Sequence, residues 1–263
     1  MKTIYQVDAF TDTPFLGNPA GVMIVDGSFT TNRMQNLAME MNLSETAFII
    51  PEGNSFRIRY FTPEMEMPLC GHATLASAHI IYETGLKVIS EPVNFKAEGA
   101  DLTVTREGEL LVMNFPIYPL IPIETMSTFK TIVGFEPIEM YSSIYNWVIA
   151  VAASEADIVN ATPEFEKMKT SGIGHLMITA PGEQPDRDFV VRCFAPLSGI
   201  NEDPVTGSAQ CALAPLWHMK TGKTEFNSIQ LSRRTGRLSV RLLNDRVEIK
   251  GKAVTVFQAE LKV

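Results

Sequence analysis

The chain is 263 residues long, 45% apolar and 20% charged, with 17 Gly and 16 Pro. This globular composition excludes disordered, collagenous and coiled-coil classes, and a chain of this length buries roughly 70–75% of its unfolded surface, so it needs no disulfide or metal staple. A formal charge of −8 leaves no basic footprint for nucleic acid or for an acidic membrane surface.

The three cysteines, Cys70, Cys193 and Cys211, cannot complete a disulfide framework, and no CxxC pair offers a zinc site. The opening Met-Lys-Thr-Ile-Tyr lacks the apolar core of a signal peptide. The longest apolar run, residues 147–153, is far short of the roughly 20 residues that span a bilayer. These features predict a soluble, cytoplasmic protein in a reducing compartment.

In chain order, residues 4–10 read as a strand, 15–19 as a turn and 20–25 as a second strand. Met34, Leu37, Ala38 and Met41 recur at helical spacing, which predicts an amphipathic helix over 31–42. Residues 44–50 read as a strand closed by Pro51. Phe56, Ile58 and Tyr60 alternate with Arg57 and Arg59, the two-residue period of a strand. Residues 73–83 are apolar nearly all round, which predicts a buried helix, and Gly85 suits its left-handed cap.

Pro116, Pro119 and Pro122 make this mid-chain segment the best candidate linker. On either side of it the chain repeats. Phe56-Arg-Ile-Arg-Tyr-Phe-Thr-Pro63 aligns with Phe189-Val-Val-Arg-Cys-Phe-Ala-Pro196. Each run is followed by a loop, a Gly (Gly71 or Gly207), an apolar helix closed by Gly85 or Gly222, and a hairpin-like stretch, residues 102–115 or 238–249. The expected fold is α+β: two similar domains from a duplication, about 1–117 and 118–263, with the last strand free to cross back. Each would wrap a mixed or antiparallel sheet around a central buried helix. Pro215 falls inside the second helix and is expected to bend it, because it lacks the N–H that would bond back to the Cys211 carbonyl.

Two like halves are expected to face each other across a cleft, with both helix N-termini turned to it. First-turn N–H groups lack internal partners and carry part of the helix dipole, and glycine admits a ligand to the backbone. That pairing suits a carboxylate or a developing enolate, or else two glycines placed for packing alone. The loop Asn201-Glu-Asp-Pro-Val-Thr-Gly-Ser208 is unusually polar. Asp203 reads as a site group or as a turn former before Pro204, and Ser208 by default as a helix cap. His72, the repeat partner of Ser208, can exchange a proton near neutral pH; His79, His175 and His218 read as structural. Glu45 lies where helix meets strand, and its residues alone favour exposure over a cleft position with a raised pKa. Cys70 and His72 are too close in sequence to suggest a nucleophile and base, and no His/Cys cluster has metal spacing. No nucleotide, metalloprotease or hydrolase motif occurs, so neither cofactor nor metal is expected.

Val7-Asp-Ala-Phe-Thr11 with residues 15–19, then residues 42–48, Leu69-Cys-Gly-His-Ala-Thr-Leu-Ala76 and Asp203-Pro-Val-Thr-Gly-Ser-Ala209, in that order, resemble the phenazine-biosynthesis PhzF-like family over essentially the whole chain. The resemblance implies the diaminopimelate epimerase fold. It also implies a cofactor-free isomerase of the type that acts on trans-2,3-dihydro-3-hydroxyanthranilate. In it Glu45 would move a proton between carbons, while His72, Asp203 and Ser208 bind substrate and assist. Asn18, Cys70, Gly71, Thr206 and Gly207 complete the expected substrate-binding set, and a homodimer is a further expectation. The sequence departs from the pattern at Gln210, where many relatives would carry histidine. Diaminopimelate epimerases use one thiol at each helix entrance; here Thr206 stands opposite Cys70 in the repeat, and a threonine hydroxyl cannot replace a thiolate. The expected partner is a small carboxylated molecule. An amino-acid epimerase or racemase, and a ligand-binding module without turnover, remain the alternatives.

Overall fold

The computed structural model describes residues 2–262 and divides into two compact units, Met1–Asn114 with Lys250–Val263, and Phe115–Ile249. In the first unit, strand β1 (Lys2–Ala9) lies antiparallel between β2 (Asn18–Ile24) and β18 (Ala253–Leu261). Helix α1 (Thr31–Met41) then leads to β3 (Glu45–Glu52), which runs parallel to β2. Its expected apolar face is real: Met34 and Ala38 are buried, packed with Ile4, Met23, Phe29, Phe48 and Phe61. Thr30 caps its start and Asn42 ends it in the left-handed conformation.

Strand β3 does not stop at Pro51 but continues to Glu52 in a hairpin with β4 (Ser55–Phe61). The proline sits near the hairpin end, where a missing donor is tolerated. Strand β4 pairs antiparallel with the short β5 (Glu66–Met67) and parallel with β6 (Val93–Lys96). Between them lies α2 (Gly71–Glu83), the buried helix of this unit, packed on β1, β2, β3 and β18. It opens at Gly71, two residues before its predicted apolar run, and Gly85 follows with φ +73°. The antiparallel β6, β7 (Asp101–Glu107) and β8 (Leu110–Pro116) end this stretch.

The second unit repeats the order. The proline-rich segment is not a bare linker, since Pro122 lies in β9 (Ile121–Ile123). Helix α3 (Phe129–Val133) leads to β10 (Glu139–Ser142), which pairs antiparallel with both β9 and β11 (Val148–Val151). Helices α4 (Glu155–Asn160) and α5 (Phe165–Thr170) cross over to β12 (Leu176–Pro181), parallel to β11. Strand β12 is antiparallel to β13 (Phe189–Ala195), and β13 pairs antiparallel with β14 (Ile200–Asp203) and parallel with β15 (Glu225–Gln230). Between β14 and β15 lies α6 (Gln210–Thr221), buried through most of its length. Strand β16 (Gly236–Leu242) pairs with β15, and β17 (Arg246–Gly251) returns the chain to the first unit. The sequence β2–β3–β4–β5–α2–β6–β7 thus reappears as β11–β12–β13–β14–α6–β15–β16 with the same parallel and antiparallel pairings. The fold is α+β and duplicated. No helix among the described residues is long and apolar enough to cross a membrane.

The duplication extends to side chains. Arg59 on β4 donates from Nε and Nη2 to Glu66, both at 2.6 Å. Its repeat partner Arg192 on β13 donates to Glu202 at 2.7 and 3.1 Å. Each guanidinium also lies over the phenylalanine two residues on, Phe61 at 5.1 Å and Phe194 at 5.0 Å. Such forked pairs are strong and geometrically specific, and each ties its strand to the segment that enters the buried helix.

Pro215 lies inside α6. The Cys211 carbonyl that it leaves without a helical donor accepts the Tyr118 N–H at 2.9 Å. A chain segment outside the helix therefore replaces the lost bond.

Arg192 also donates to the carbonyls of Ile158 and Ala161, each at 3.0 Å, whereas the further donation of Arg59 is to Thr31 Oγ1. Removing one partner of a largely buried pair costs about 3–5 kcal/mol. Arg192→Ala should therefore lower stability by about that amount in urea unfolding, and Arg59→Ala by less. Equal losses would show that the extra carbonyl bonds contribute nothing.

Candidate functional site

In the first unit, three separate stretches bring polar groups together. Cys70 is extended (φ −147°, ψ 118°) and forms the N-cap of α2, and the helix that follows places His72 one residue past Gly71. The other contributors stand on the parallel pair β2 and β3: Asn18 opens β2, and Glu45 opens β3 with Ser44 just before it. Asn18 is fully buried and His72 7% exposed. The His72 Nδ1 atom lies 3.3 Å from Asn18 Nδ2 and 3.5 Å from Cys70 Sγ, and its Nε2 lies 3.3 Å from Ser44 Oγ. Ser44 Oγ–H donates to Asn18 Oδ1 at 3.3 Å, which orients the amide so that its N–H groups face Nδ1. That arrangement assigns the ring proton to Nε2, which donates to Ser44 Oγ, with Glu45 Oε2 beside it 3.3 Å away.

The Glu45 side chain is only 12% exposed, which overturns the exposed position favoured by its residues alone. The strand it opens is buried over the next four residues, so the carboxyl group is drawn in with them. Burial raises its pKa, and side-chain hydrogen bonds with Ser44 and Cys70 partly offset this. Oε2 has no aligned hydrogen-bond donor although it is shielded from solvent. A desolvated carboxylate with an unsatisfied oxygen is a stronger base than one in water. Cys70 and His72 touch despite their closeness in sequence, because an extended residue followed by a helical turn folds the two side chains together. One donor atom each from Glu45, Cys70 and His72 also lies within 4.8 Å of the others. Sequence spacing could not reveal that cluster, since Glu45 comes from another element.

Around Gly71 the surface is open, and a Cβ added there would meet nothing within 4 Å. The backbone tolerates a side chain, so packing is not what a glycine serves at this helix start.

In the second unit, Asp203 ends β14 and accepts the Thr206 hydroxyl. Gln230 on β15 fixes this loop: its Nε2 donates to the Asp203 carbonyl at 2.6 Å, and its Oε1 accepts the Thr206 N–H at 2.8 Å. Ser232 Oγ donates to the Pro204 carbonyl at 2.6 Å. Gly207 is buried, in a single 3₁₀ turn, Gly207–Ala209, that precedes α6. Ser208 is exposed and is not a cap; Thr206 holds the cap position without a side-chain cap bond. The helix proper begins only at Gln210, whose amide is fully buried without a hydrogen-bond partner. The expectation that Gly207 opens the helix is therefore off by one tight turn.

Sequence reasoning missed Ser44, Gln230 and Ser232 as positioning groups. Ser44 lies inside the Asn42–Phe48 motif; Gln230 and Ser232 carry no local signal, being more than twenty residues from the loop they hold. The remaining histidines have partners outside this cluster: His79 contacts Thr255 and Glu83, His175 bonds Ser198 Oγ at 2.8 Å, and His218 lies 2.7 Å from the Lys223 carbonyl.

The family model for phenazine biosynthesis-like protein (PhzC-PhzF) matches residues 7–259. The chain belongs to this family. Among relatives, an uncharacterized isomerase of Halalkalibacterium halodurans is 39% identical, covering 98% of this chain and 97% of its own. Phenazine biosynthesis-like domain-containing protein 2 of Mus musculus is 38% identical, with 98% of both chains covered. Among solved structures, a PhzF family protein from Enterococcus faecalis has a TM-score of 0.94 at 35% identity over 100% of this chain and 99% of that one. A probable proline racemase from Agrobacterium radiobacter, at 10% identity and TM-score 0.68 over 100% of this chain and 93% of that one, shares the fold.

The approach to Asn18 depends on Gly17, which has φ +68° and where a Cβ would stand 2.2 Å from the Ala9 carbonyl oxygen. A left-handed non-glycine residue costs about 1–2 kcal/mol, and the clash with backbone adds to it. Gly17→Ala should lower stability by at least about 2 kcal/mol in chemical denaturation. An unchanged midpoint would show that the turn relaxes freely.

Proposed function

We propose that this chain is an isomerase that moves a proton between carbons of a small carboxylated substrate without a cofactor, with Glu45 as both base and acid. The observation that carries this reading is the desolvated Glu45 carboxyl 3.3 Å from His72 Nε2. Abstraction of a carbon-bound proton needs a desolvated base beside a group that stabilises the resulting anion. Glu45 takes the proton, the electron pair of the broken C–H bond passes into the substrate's conjugated system, and the proton returns at another carbon. The substrate's atoms and charge are conserved. The His72 imidazole lies beside the carboxylate, its Nε2 3.3 Å from Oε2, and the first amides of α2 at Gly71 favour negative charge on the substrate. The curated relatives named isomerases support the class of reaction. The same reading gives Asp203, Thr206 and Ser208 substrate-binding roles, and a substrate with a carboxylate would meet α2 at the open face of Gly71.

Glu45→Gln keeps the shape but removes the proton-accepting oxygen. It should lower turnover by about 10²–10⁴-fold, measured as deuterium wash-in from heavy water across a panel of amino acids and cyclohexadiene carboxylates. Migration of a double bond marks isomerisation, and label at one stereocentre marks epimerisation. Near wild-type exchange in the variant would remove Glu45 from the mechanism. Stability should move the other way. A carboxyl group whose pKa is raised in the folded state destabilises that state when ionised, an effect absent below its ordinary pKa of 4.5 and complete above the raised value. The variant should therefore melt higher than wild type at pH 8, and the difference should vanish on acidification.

Gly71→Ala separates ligand from fold. Because the added methyl meets no protein atom and alanine is the better helix former, Tm should stay level or rise. KM should rise if substrate occupies the open space. A normal KM would place the substrate elsewhere.

A further inference from the structure

We propose that Glu45, Cys70 and His72 form a three-donor site for a borderline-soft divalent cation of the zinc class. A thiolate, an imidazole and a carboxylate together favour zinc and cobalt over magnesium or calcium, which take oxygen donors. The three donor atoms lie within 4.8 Å of one another and all three residues are buried. Bond lengths of about 2.3 Å to sulfur and about 2.1 Å to nitrogen put a tetrahedral N···S edge near 3.6 Å; Cys70 Sγ and His72 Nδ1 are 3.5 Å apart. A metal on Nδ1 displaces the Asn18 N–H that faces it, and the Glu45 carboxylate, already hydrogen-bonded to Cys70, approaches from the sulfur side.

The other thiols do not compete. Cys193 and Cys211 are fully buried, and burial pushes both up, Cys211 to about 12. Binding is a simple exchange: the metal takes the sulfur lone pair, the thiol proton leaves to solvent, and a water or substrate oxygen fills the fourth position. The site itself does not depend on the isomerase reading. Its consequence does: a metal on Glu45 withdraws the base from proton transfer, so the cation is an inhibitor and not a cofactor.

The test is titration of reduced, chelator-treated protein with Co²⁺. The expected result is a near-ultraviolet thiolate-to-cobalt charge-transfer band with the intense visible bands of four-coordinate cobalt, saturating at one equivalent and erased by Zn²⁺. Cys70→Ser should abolish the charge-transfer band, and Glu45→Gln should weaken Co²⁺ binding about tenfold or more. X-ray absorption of the Zn²⁺-loaded wild type needs no variant and should show one sulfur at about 2.3 Å. Absence of the charge-transfer band at millimolar Co²⁺, its survival in Cys70→Ser, or a zinc shell of nitrogen and oxygen alone would overturn the site. Loss of exchange activity in Glu45→Gln without any cobalt band would leave the isomerase reading standing and the metal site refuted; the reverse pattern would do the opposite.

Discussion

A forked arginine–carboxylate pair holds the strand before each buried helix to the segment that enters it. Arg59 with Glu66 and Arg192 with Glu202 are the same device in two places, each completed by a phenylalanine face under the guanidinium. An arginine fork fixes direction as well as distance, so the short loop beyond it begins from a defined point. Where that loop begins decides where the helix starts. The helix start, in turn, decides which side chains and which backbone amides are presented. The chemistry proposed for Glu45, His72 and Cys70 depends on this geometry even though no arginine belongs to it.

The two units use the inherited frame differently. At the first helix start, a cysteine, a histidine and a distant glutamate meet largely buried, and the carboxylate keeps an oxygen without an aligned donor. At the second, the polar residues are largely consumed by one another: Asp203, Thr206 and Gln230 bond in a ring that stiffens the loop. A buried acid that is poorly satisfied is reactive; one that is well satisfied is a scaffold. That difference, more than residue type, favours the first unit for the proposed proton chemistry.

Much of the fold was legible because it rests on local periodicity. The α1 face of Met34 and Ala38, the alternation in β4 and the all-round apolar α2 each follow from side-chain spacing. The repeat was legible because Phe56-Arg-Ile-Arg-Tyr-Phe and Phe189-Val-Val-Arg-Cys-Phe keep the arginine and the aromatic ring in register. The structure departs from the local pattern where one residue marks the end of an element. Pro51 did not end β3, since its pairing partner Phe56 lies near the end of a hairpin. Gly207 did not open α6, since one 3₁₀ turn intervenes. At Pro215, inside α6, the carbonyl that proline leaves open accepts from Tyr118, nearly a hundred residues away.

The sequence by itself determined the duplication, the buried helices and the residues available for chemistry, because each follows from spacing along a strand or helix and from composition. Only the tertiary structure decided how those residues are used. Glu45 reads as an exposed acid until β3 pairs with β2 and is drawn inward, and its basicity is a property of burial, which no local pattern encodes. Gln230 becomes the anchor of the Asp203 loop only when β15 lies beside β13. Cys70, His72 and Glu45 become one cluster because an extended cap, a helical turn and a strand end converge. Proximity between residues distant in sequence is set by the packing of whole elements, and so is the dielectric around them.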